Sequence, residues 1–142
     1  MGGLIGRSVF PGTASGELLV LDAPLSFWGG TDLEGHIVDE HHPQRGAVLT
    51  GRVVALPRAR GSSSSSSVLA EQLRAGTAPA ALVLTEPDAI LMLGAWVAAE
   101  LYGVRLPIAA LAEADYALLA AGAGRARVDA DAEVARVSML SA

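Results

Sequence analysis

Cysteine and lysine are both missing from this chain of 142 residues. Without cysteine, the chain can form no disulfide and can offer no thiolate to zinc or to an iron–sulfur cluster. All ten cationic side chains are arginines, and fifteen carboxylates outnumber them, which gives a formal net charge of −5. Nucleic-acid binding requires a clustered basic surface, so this balance argues against a nucleic-acid partner.

Aromatic residues make up only 4% of the chain, whereas hydrophobic residues of all kinds reach 51%. The core must therefore be packed mainly with aliphatic side chains, and the apolar content argues against disorder. The longest apolar run, Ala89 to Ala99, is too short to span a bilayer, and the first residues lack the apolar core of a signal peptide. We expect a single domain over residues 1–142, located in the cytoplasm and without a membrane partner.

The most distinctive stretch is a run of six serines, from Ser62 to Ser67. A predicted strand, Ala47 to Leu56, leads into it, and a predicted helix, Val68 to Ala75, leads out toward a stop at Gly76. Serine runs are often flexible linkers, but this chain is too short to hold two good cores around residue 62. We therefore interpret the serines as the first turn of a helix.

A glycine followed by small hydroxyl residues at a helix start is a natural cradle for an anion. The N–H groups of the first helical turn have no partner inside the helix and point at whatever lies there. Arg58 and Arg60, just upstream, would add positive charge. We predict that Gly61 and Ser62 form the working edge of the protein.

The rest of the chain reads as strands first and then as alternating helices and strands. Strands are predicted over 4–10, 17–21, 80–84, 106–110, 125–129 and 134–137, and helices over 89–102 and 113–121. Asp88 is a candidate N-cap for the longer helix, which is apolar almost all round and should be buried on more than one side. This order predicts an α/β fold, with a β-rich N-terminal half wrapped on a small α/β core.

The segment from Pro24 to Gly30 contains two aromatic residues followed directly by two glycines. This combination, in the run Ser26, Phe27, Trp28, Gly29 and Gly30, indicates a fixed loop or bulge where the backbone approaches another group closely. The alternative is an ordinary turn with Phe27 and Trp28 as core anchors.

The three histidines, His36, His41 and His42, are close together with Asp39 and Glu40 between them. Their spacing matches no metal motif with a known mechanism, and adjacent histidines splay apart in an extended chain. We predict no metal site here. Asp39 and His42 are expected to fix a loop by hydrogen bonds, or to contact a partner.

Four motifs in the same order resemble the small swivelling domain of the aconitase X proteins, over residues 12–107. They are Pro24–Gly30, Asp39 with His42-Pro43, Arg60–Ser65 and Gly76–Ala80. Leu33 departs from the pattern, because the family usually has proline there. This departure puts the shape of that loop in question, but not the site.

The resemblance implies a swivelling β/β/α domain that closes over a larger subunit. In the family, that large subunit carries the cysteines and the iron or iron–sulfur centre, so no cofactor is expected in this chain. The serine regarded as the catalytic base corresponds to Ser62. Arg60, Gly61, Ser63 and Ser64 are then the expected substrate or anion contacts. The segment Ser26–Gly30, with Asp39 and His42, is expected near the site or the partner.

The resemblance also implies a hydro-lyase that dehydrates a small hydroxy acid and is active only with its large subunit. The unbroken serine run before Val68–Glu71 is similar to the bacterial branch, which converts cis-3-hydroxy-L-proline to Δ1-pyrroline-2-carboxylate. Three alternatives remain. They are the small subunit of phosphomevalonate dehydratase, a non-catalytic module that carries phosphohistidine on His41 or His42, and a solitary domain that has lost its partner.

Overall fold

A closed barrel of seven strands organises residues 3–140, the part of the chain that this computed structural model describes. The strands are β1 (Leu4–Phe10), β2 (Gly12–Val20), β3 (Val53–Ala55), β4 (Ala81–Leu84), β5 (Ile108–Ala110), β6 (Arg125–Ala130) and β7 (Val134–Met139). The helices are α1 (Phe27–Gly30), α2 (Ser65–Ala75), α3 (Ala89–Tyr102) and α4 (Glu113–Ala120). The predicted single domain also takes in residues 1, 2, 141 and 142, which lie outside the described part.

The barrel combines a parallel and an antiparallel half. β2, β3, β4 and β5 are parallel neighbours, with Leu18 opposite Val53, Val53 opposite Ala81 and Leu82 opposite Ile108. β6 and β7 form an antiparallel pair that joins β2 on one side and β1 on the other, and β1 closes the ring against β5. The carboxyl ends of four parallel strands therefore meet at one end of the barrel, where α/β proteins place their sites.

Alternating side chains of the central strands enter two separate cores. In β3, Val53 and Ala55 face the barrel interior with small residues of β6 and β7, whereas Val54 faces α2 and α3. β4 is buried along its whole length, since the barrel covers one face and the helices cover the other. This explains why Ala81–Leu84 is a continuous apolar run.

The α/β class is confirmed, but the prediction of a β-rich half wrapped on an α/β core is wrong. β1 pairs with both β5 and β7, so the first strand closes a barrel with the last one. The predicted strand from Ala47 to Leu56 is also wrong over most of its length, because only Val53–Ala55 is a strand. Gly51 has a φ of +71°, and a turn from Leu49 to Arg52 interrupts the extended chain.

Both ends of α3 and the C-terminal end of α2 are those that the sequence predicts. Asp88 caps α3 by accepting a hydrogen bond from the N–H of Leu91 at 2.9 Å, and Gly103 ends that helix in the left-handed conformation. Gly76 ends α2 in the same way. The expected burial of α3 on more than one side is wrong, since Trp96 is 51% exposed and Leu101 is 68% exposed. No helix within residues 3–140 has both the length and the apolar character needed to cross a membrane.

The close packing of α3 against α2 at Gly94 predicts that a side chain there lowers the stability of the fold. A Cβ at residue 94 would lie 2.8 Å from the carbonyl oxygen of Ser66 and 3.3 Å from the Cβ of Leu69. Gly94→Ala gains up to about 1 kcal/mol of helix propensity but forces the helices apart, which costs about 1–3 kcal/mol. We expect the second effect to dominate, with Tm lower by roughly 2–8 °C in calorimetry.

Ala117→Ser is the control for this substitution, because it adds one heavy atom at an exposed position of α4. Its Tm should stay within about 2 °C of the wild-type value, because serine has only a slightly lower helix propensity than alanine and surface changes are usually small. A Gly94→Ala variant as stable as the wild type would mean that the helices separate without cost.

Candidate active site

The loop that follows β3 lies directly beside the segment Pro24–Gly30. Leu25 pairs with Ala59 in a parallel bridge, and the N–H of Arg60 donates to the Leu25 carbonyl at 3.1 Å. Leu25 is fully buried, so its side chain fixes this pairing to the core. Two motifs that are 35 residues apart in the sequence are thereby joined at the carboxyl end of the parallel strands.

Gly61 allows these two segments to touch. Its φ is +100°, which strongly favours glycine, and a Cβ built there would overlap the Oγ of Ser26 and lie 2.8 Å from its Cβ. Any side chain at residue 61 would therefore push the Ser26 loop away from the serine run. The glycine is required by both the backbone conformation and the close approach.

Ser65 holds the same loop from the other side. Its side chain is buried, and its Oγ accepts a hydrogen bond from the N–H of Trp28 at 3.0 Å and lies 3.5 Å from the Oγ of Ser26. Ser26 in turn donates from its Oγ to the Trp28 carbonyl at 2.7 Å. Six consecutive serines carry no pattern, so the sequence alone does not show that Ser65 is the buried one.

The serine run is divided between a turn and a helix. The expectation that all six form the first helical turn is wrong, since α2 begins at Ser65, and Ser62 lies three residues before it. The Oγ of Ser62 accepts a hydrogen bond from the N–H of Ser64 at 3.1 Å, and its carbonyl accepts from the N–H of Ser65 at 3.0 Å. Serine prefers this local turn to the helix because its side chain satisfies the backbone there.

Three consecutive backbone donors remain open at this turn. Within residues 3–140, the N–H groups of Gly61, Ser62 and Ser63 donate no hydrogen bond. Successive free N–H groups that approach a helix start form a concave site for an anion. Ser63 and Ser64 are exposed, and their carbonyls serve the first turn of α2. Backbone N–H groups are therefore available at this turn to a ligand that accepts hydrogen bonds.

A small cleft of about 90 Å³ opens beside this turn, and Arg60, Gly61, Ser62 and Ser65 are among its lining residues. Asp88, Ile90 and Leu91, from the start of α3, line the opposite wall. Asp88 was predicted as a helix cap, but its place in the cleft follows only from the packing of α3 against α2.

The two arginines that precede the serines, Arg58 and Arg60, line different cavities. Arg60 lines the cleft, is exposed, and forms no ion pair within the described residues. Arg58 instead lines a different cavity of about 380 Å³ with Glu86 and Glu113. The positive charge expected from both arginines therefore comes to the cleft from Arg60 alone.

The two aromatic residues of the Pro24–Gly30 segment differ in burial. Phe27 is 1% exposed and anchors the segment in the core, whereas Trp28 is 56% exposed. Trp28 and Gly29 leave helical geometry, with Gly29 at a φ of +81°, so α1 is an irregular turn. Phe27 is a core anchor as the simpler interpretation predicts, but Trp28 is not.

Asp39 and His42 form the expected loop hydrogen bonds. The carbonyl of Gly30 accepts from the N–H groups of Val38 and Asp39 at 2.8 and 3.3 Å. His42 is 5% exposed, with its Nε2 3.2 Å from the Ala23 carbonyl, and its Nδ1 accepts from the N–H of Gln44 at 3.0 Å. Both ring nitrogens are engaged, so His42 is a structural residue behind the site.

The histidines are not arranged as a metal site. The Nδ1 of His36 lies 3.2 Å from the Oδ2 of Asp32. In the described part of the chain, no group of three or more histidine, cysteine or acidic residues could hold a metal ion. Burial raises the pKa of Asp32, but hydrogen bonds from the N–H groups of His36 and Glu34 outweigh it and leave that pKa below its usual value.

A buried glutamine fixes the long segment 31–50 against α2. Gln72 is fully buried, and its Nε2 donates to the Oγ1 of Thr31 and to the carbonyl of Asp32, both at 2.9 Å. The Oγ1 of Thr77 donates to the Leu33 carbonyl at 2.7 Å. Leu33 therefore keeps its place through its backbone, and the loop does not depend on a proline.

Comparison with known proteins assigns this arrangement to a family. The model of the aconitase X swivel domain matches residues 4–137. The chain belongs to the aconitase X swivel domain family.

Relatives of this aconitase X domain occur in two lengths. The cis-3-hydroxy-L-proline dehydratase of Pseudomonas aeruginosa is 52% identical over 78% of the chain, but the match covers only 19% of that protein. The phosphomevalonate dehydratase small subunit of Pyrococcus furiosus is 41% identical over 67% of the chain, and 72% of that protein is covered. The chain thus spans about a fifth of the first relative and most of the second.

The aconitase X assignment also holds at the level of structure. A crystal structure of Thermococcus kodakaraensis aconitase X superposes with a TM-score of 0.80 and 29% sequence identity. The superposition covers 98% of this chain and 100% of that chain. The barrel and its helices are therefore the architecture of the family.

The contact between residue 61 and Ser26 predicts a specific loss of stability. Gly61→Ala must bear the strain of a positive φ and must also displace Ser26, so we expect a loss of roughly 3–5 kcal/mol in the free energy of unfolding, measured in urea. Gly46→Ala is the matched control, because Gly46 has a φ of +92° with nothing within 4 Å of the added Cβ. It should lose only the strain, about 1–2 kcal/mol.

A second substitution distinguishes the two costs. Ser26→Gly removes the atoms that the new Cβ would meet, so the double variant Gly61→Ala/Ser26→Gly should be less destabilised than the sum of the single variants. Additive effects would show that the two residues do not constrain each other.

Proposed function

We propose that this chain supplies the swivel domain of an aconitase X-type hydro-lyase, and that Ser62 is its catalytic base. The observation that carries the proposal is that Ser62 lines an open cleft with Arg60 and Gly61, at a turn that has three free N–H groups. These donors fit the carboxylate of a small hydroxy acid. The proton to be removed lies on the carbon next to that carboxylate.

The reaction is a β-elimination. Ser62 takes the proton from the carbon that bears the carboxylate, the electron pair forms the new double bond, and the neighbouring carbon loses its hydroxyl as hydroxide. Ser62 then releases the proton, so that one water is lost in total and the base is restored. For cis-3-hydroxy-L-proline, the resulting enamine tautomerises to Δ1-pyrroline-2-carboxylate. We propose this substrate because the similarity is higher to the cis-3-hydroxy-L-proline dehydratase of Pseudomonas aeruginosa, at 52%, than to six phosphomevalonate dehydratase small subunits, at 36% to 48%.

A second substrate is supported by similarity to the phosphomevalonate dehydratase small subunits. The match covers 72% of the phosphomevalonate dehydratase small subunit of Pyrococcus furiosus but only 19% of the hydroxyproline enzyme. 5-Phosphomevalonate is therefore the second candidate. Turnover of each compound by the purified complex decides between the two.

A serine hydroxyl is a weak base, and this sets a limit on what the chain does alone. Each unit by which its pKa falls requires about 1.4 kcal/mol of preferential stabilisation of the charged form. A helix N-terminus supplies roughly 0.3–2 kcal/mol, and the hydrogen bond from the Ser64 N–H acts in the same direction. Several units are needed, so Arg60 and a water-excluding partner must contribute the rest.

The residues of this chain do not fit an iron or iron–sulfur centre. Cysteine is missing from the sequence, and no cluster of metal ligands occurs in residues 3–140. We therefore place such a centre, which the family implies, on a large catalytic subunit. That subunit is the proposed partner, and the site of this chain closes over it.

The weak basicity of serine predicts that the purified chain alone is inactive. Incubation with cis-3-hydroxy-L-proline should give no Δ1-pyrroline-2-carboxylate by o-aminobenzaldehyde assay, whereas addition of the large subunit should start turnover. Product formation by the chain alone would show that the site is complete in one polypeptide.

Replacement of the base in the assembled complex predicts a loss in kcat. Ser62→Ala should lower kcat at least about 100-fold with little change in KM, because a general base contributes about 10²–10⁴ and Arg60 still binds the carboxylate. Ser67→Ala, an exposed serine of the same run, is the matched control and should retain the wild-type rate. A near-normal kcat for Ser62→Ala would assign the base to another residue.

A further inference from the structure

The outward face of α3 is apolar and uncovered. Leu93, Trp96 and Leu101 are 45%, 51% and 68% exposed. Together with Val97 and Glu100 they line an open groove of about 580 Å³. Glu100 is the only charged member, and its carboxylate accepts from the indole N–H of Trp96 at 3.4 Å. Contiguous apolar surfaces of this kind mark interaction sites on soluble proteins.

The fold of this chain does not need that face. The opposite side of α3 supplies the buried residues Leu91, Gly94, Ala95 and Ala98, and its close approach to α2 is made there. Within residues 3–140, no other element covers the groove. Its apolar residues therefore add nothing to the core of this domain.

The groove lies on the same face of α3 as Ile90, a residue of the cleft that contains Ser62. Ile90 lines the cleft, whereas Leu93 and Val97 line the groove. These three residues are spaced by three and four positions, so they lie on one face of the helix. With a rise of about 1.5 Å per residue, the groove extends from roughly 5 to 17 Å beyond Ile90. A large body that covers the cleft is therefore within reach of the groove.

We propose that this groove is the surface on which the large subunit of the same dehydratase docks. The inference rests on the proposed function, which requires a second polypeptide over the cleft. About four-fifths of the Pseudomonas aeruginosa relative lies outside the part that matches this chain, so that protein has a body of suitable size. Trp96 is the central contact, because tryptophan contributes more than other residues to protein interfaces.

A second copy of this chain fits the groove less well. Each copy has a net charge of −5, and a symmetric pair would bring Glu100 against Glu100. Like charges that face each other across an interface oppose association. A large subunit with an apolar ridge avoids this repulsion.

Calorimetric titration of the chain with its large subunit tests the proposal. Trp96→Ala and Leu101→Gln should each raise Kd at least tenfold, and circular dichroism should show that both variants remain folded, since both side chains are exposed. Leu118→Gln, at a 61% exposed leucine of α4, is the matched control and should leave Kd unchanged. Ser62→Ala should also bind with the wild-type Kd, although it is expected to be inactive.

The possible outcomes distinguish failure of the docking surface from failure of the proposed function. A complex that forms equally well with Trp96→Ala and Leu101→Gln would overturn the docking surface and leave the dehydratase intact. Failure of the wild-type chain to bind any aconitase X large subunit would overturn both. A wild-type chain that sediments as a dimer, and becomes a monomer on Trp96→Ala, would assign the groove to a second copy and overturn the proposal.

Discussion

The site depends on the absence of a side chain at residue 61. Gly61 allows Ser26 to lie against the loop that follows β3, and the buried Ser65 then holds Trp28 through its Oγ. With both contacts in place, the backbone before Ser62 is fixed between two segments. The backbone on either side of Ser62 is therefore held by the packing of Gly61 and of Ser65.

The barrel in turn explains why the site lies where it does. Four parallel strands end at the same edge, and the segments that follow β2 and β3 bring Ser26 and Ser65 together there. The antiparallel strands β6 and β7 close the ring.

The proposed division of chemical groups between this chain and a large subunit follows from what this chain contains. Its cleft has a hydroxyl and a guanidinium beside free backbone N–H groups, which can bind anions or exchange protons, and also the Asp88 carboxylate that caps α3. The apolar face of α3 begins about one helical turn beyond Ile90 of that cleft. Substrate binding, proton transfer and docking are therefore joined on one side of the molecule in our proposal.

Local sequence patterns predict the class of the fold, both ends of α3 and the C-terminal end of α2, because capping residues and a left-handed glycine act locally. They do not determine which serine is buried, since six identical residues carry no pattern. The closure of the barrel, the separation of Arg58 from Arg60 and the uncovered face of α3 were decided by the tertiary structure. Each depends on contacts between residues far apart in the chain, which local patterns of hydrophobicity do not encode.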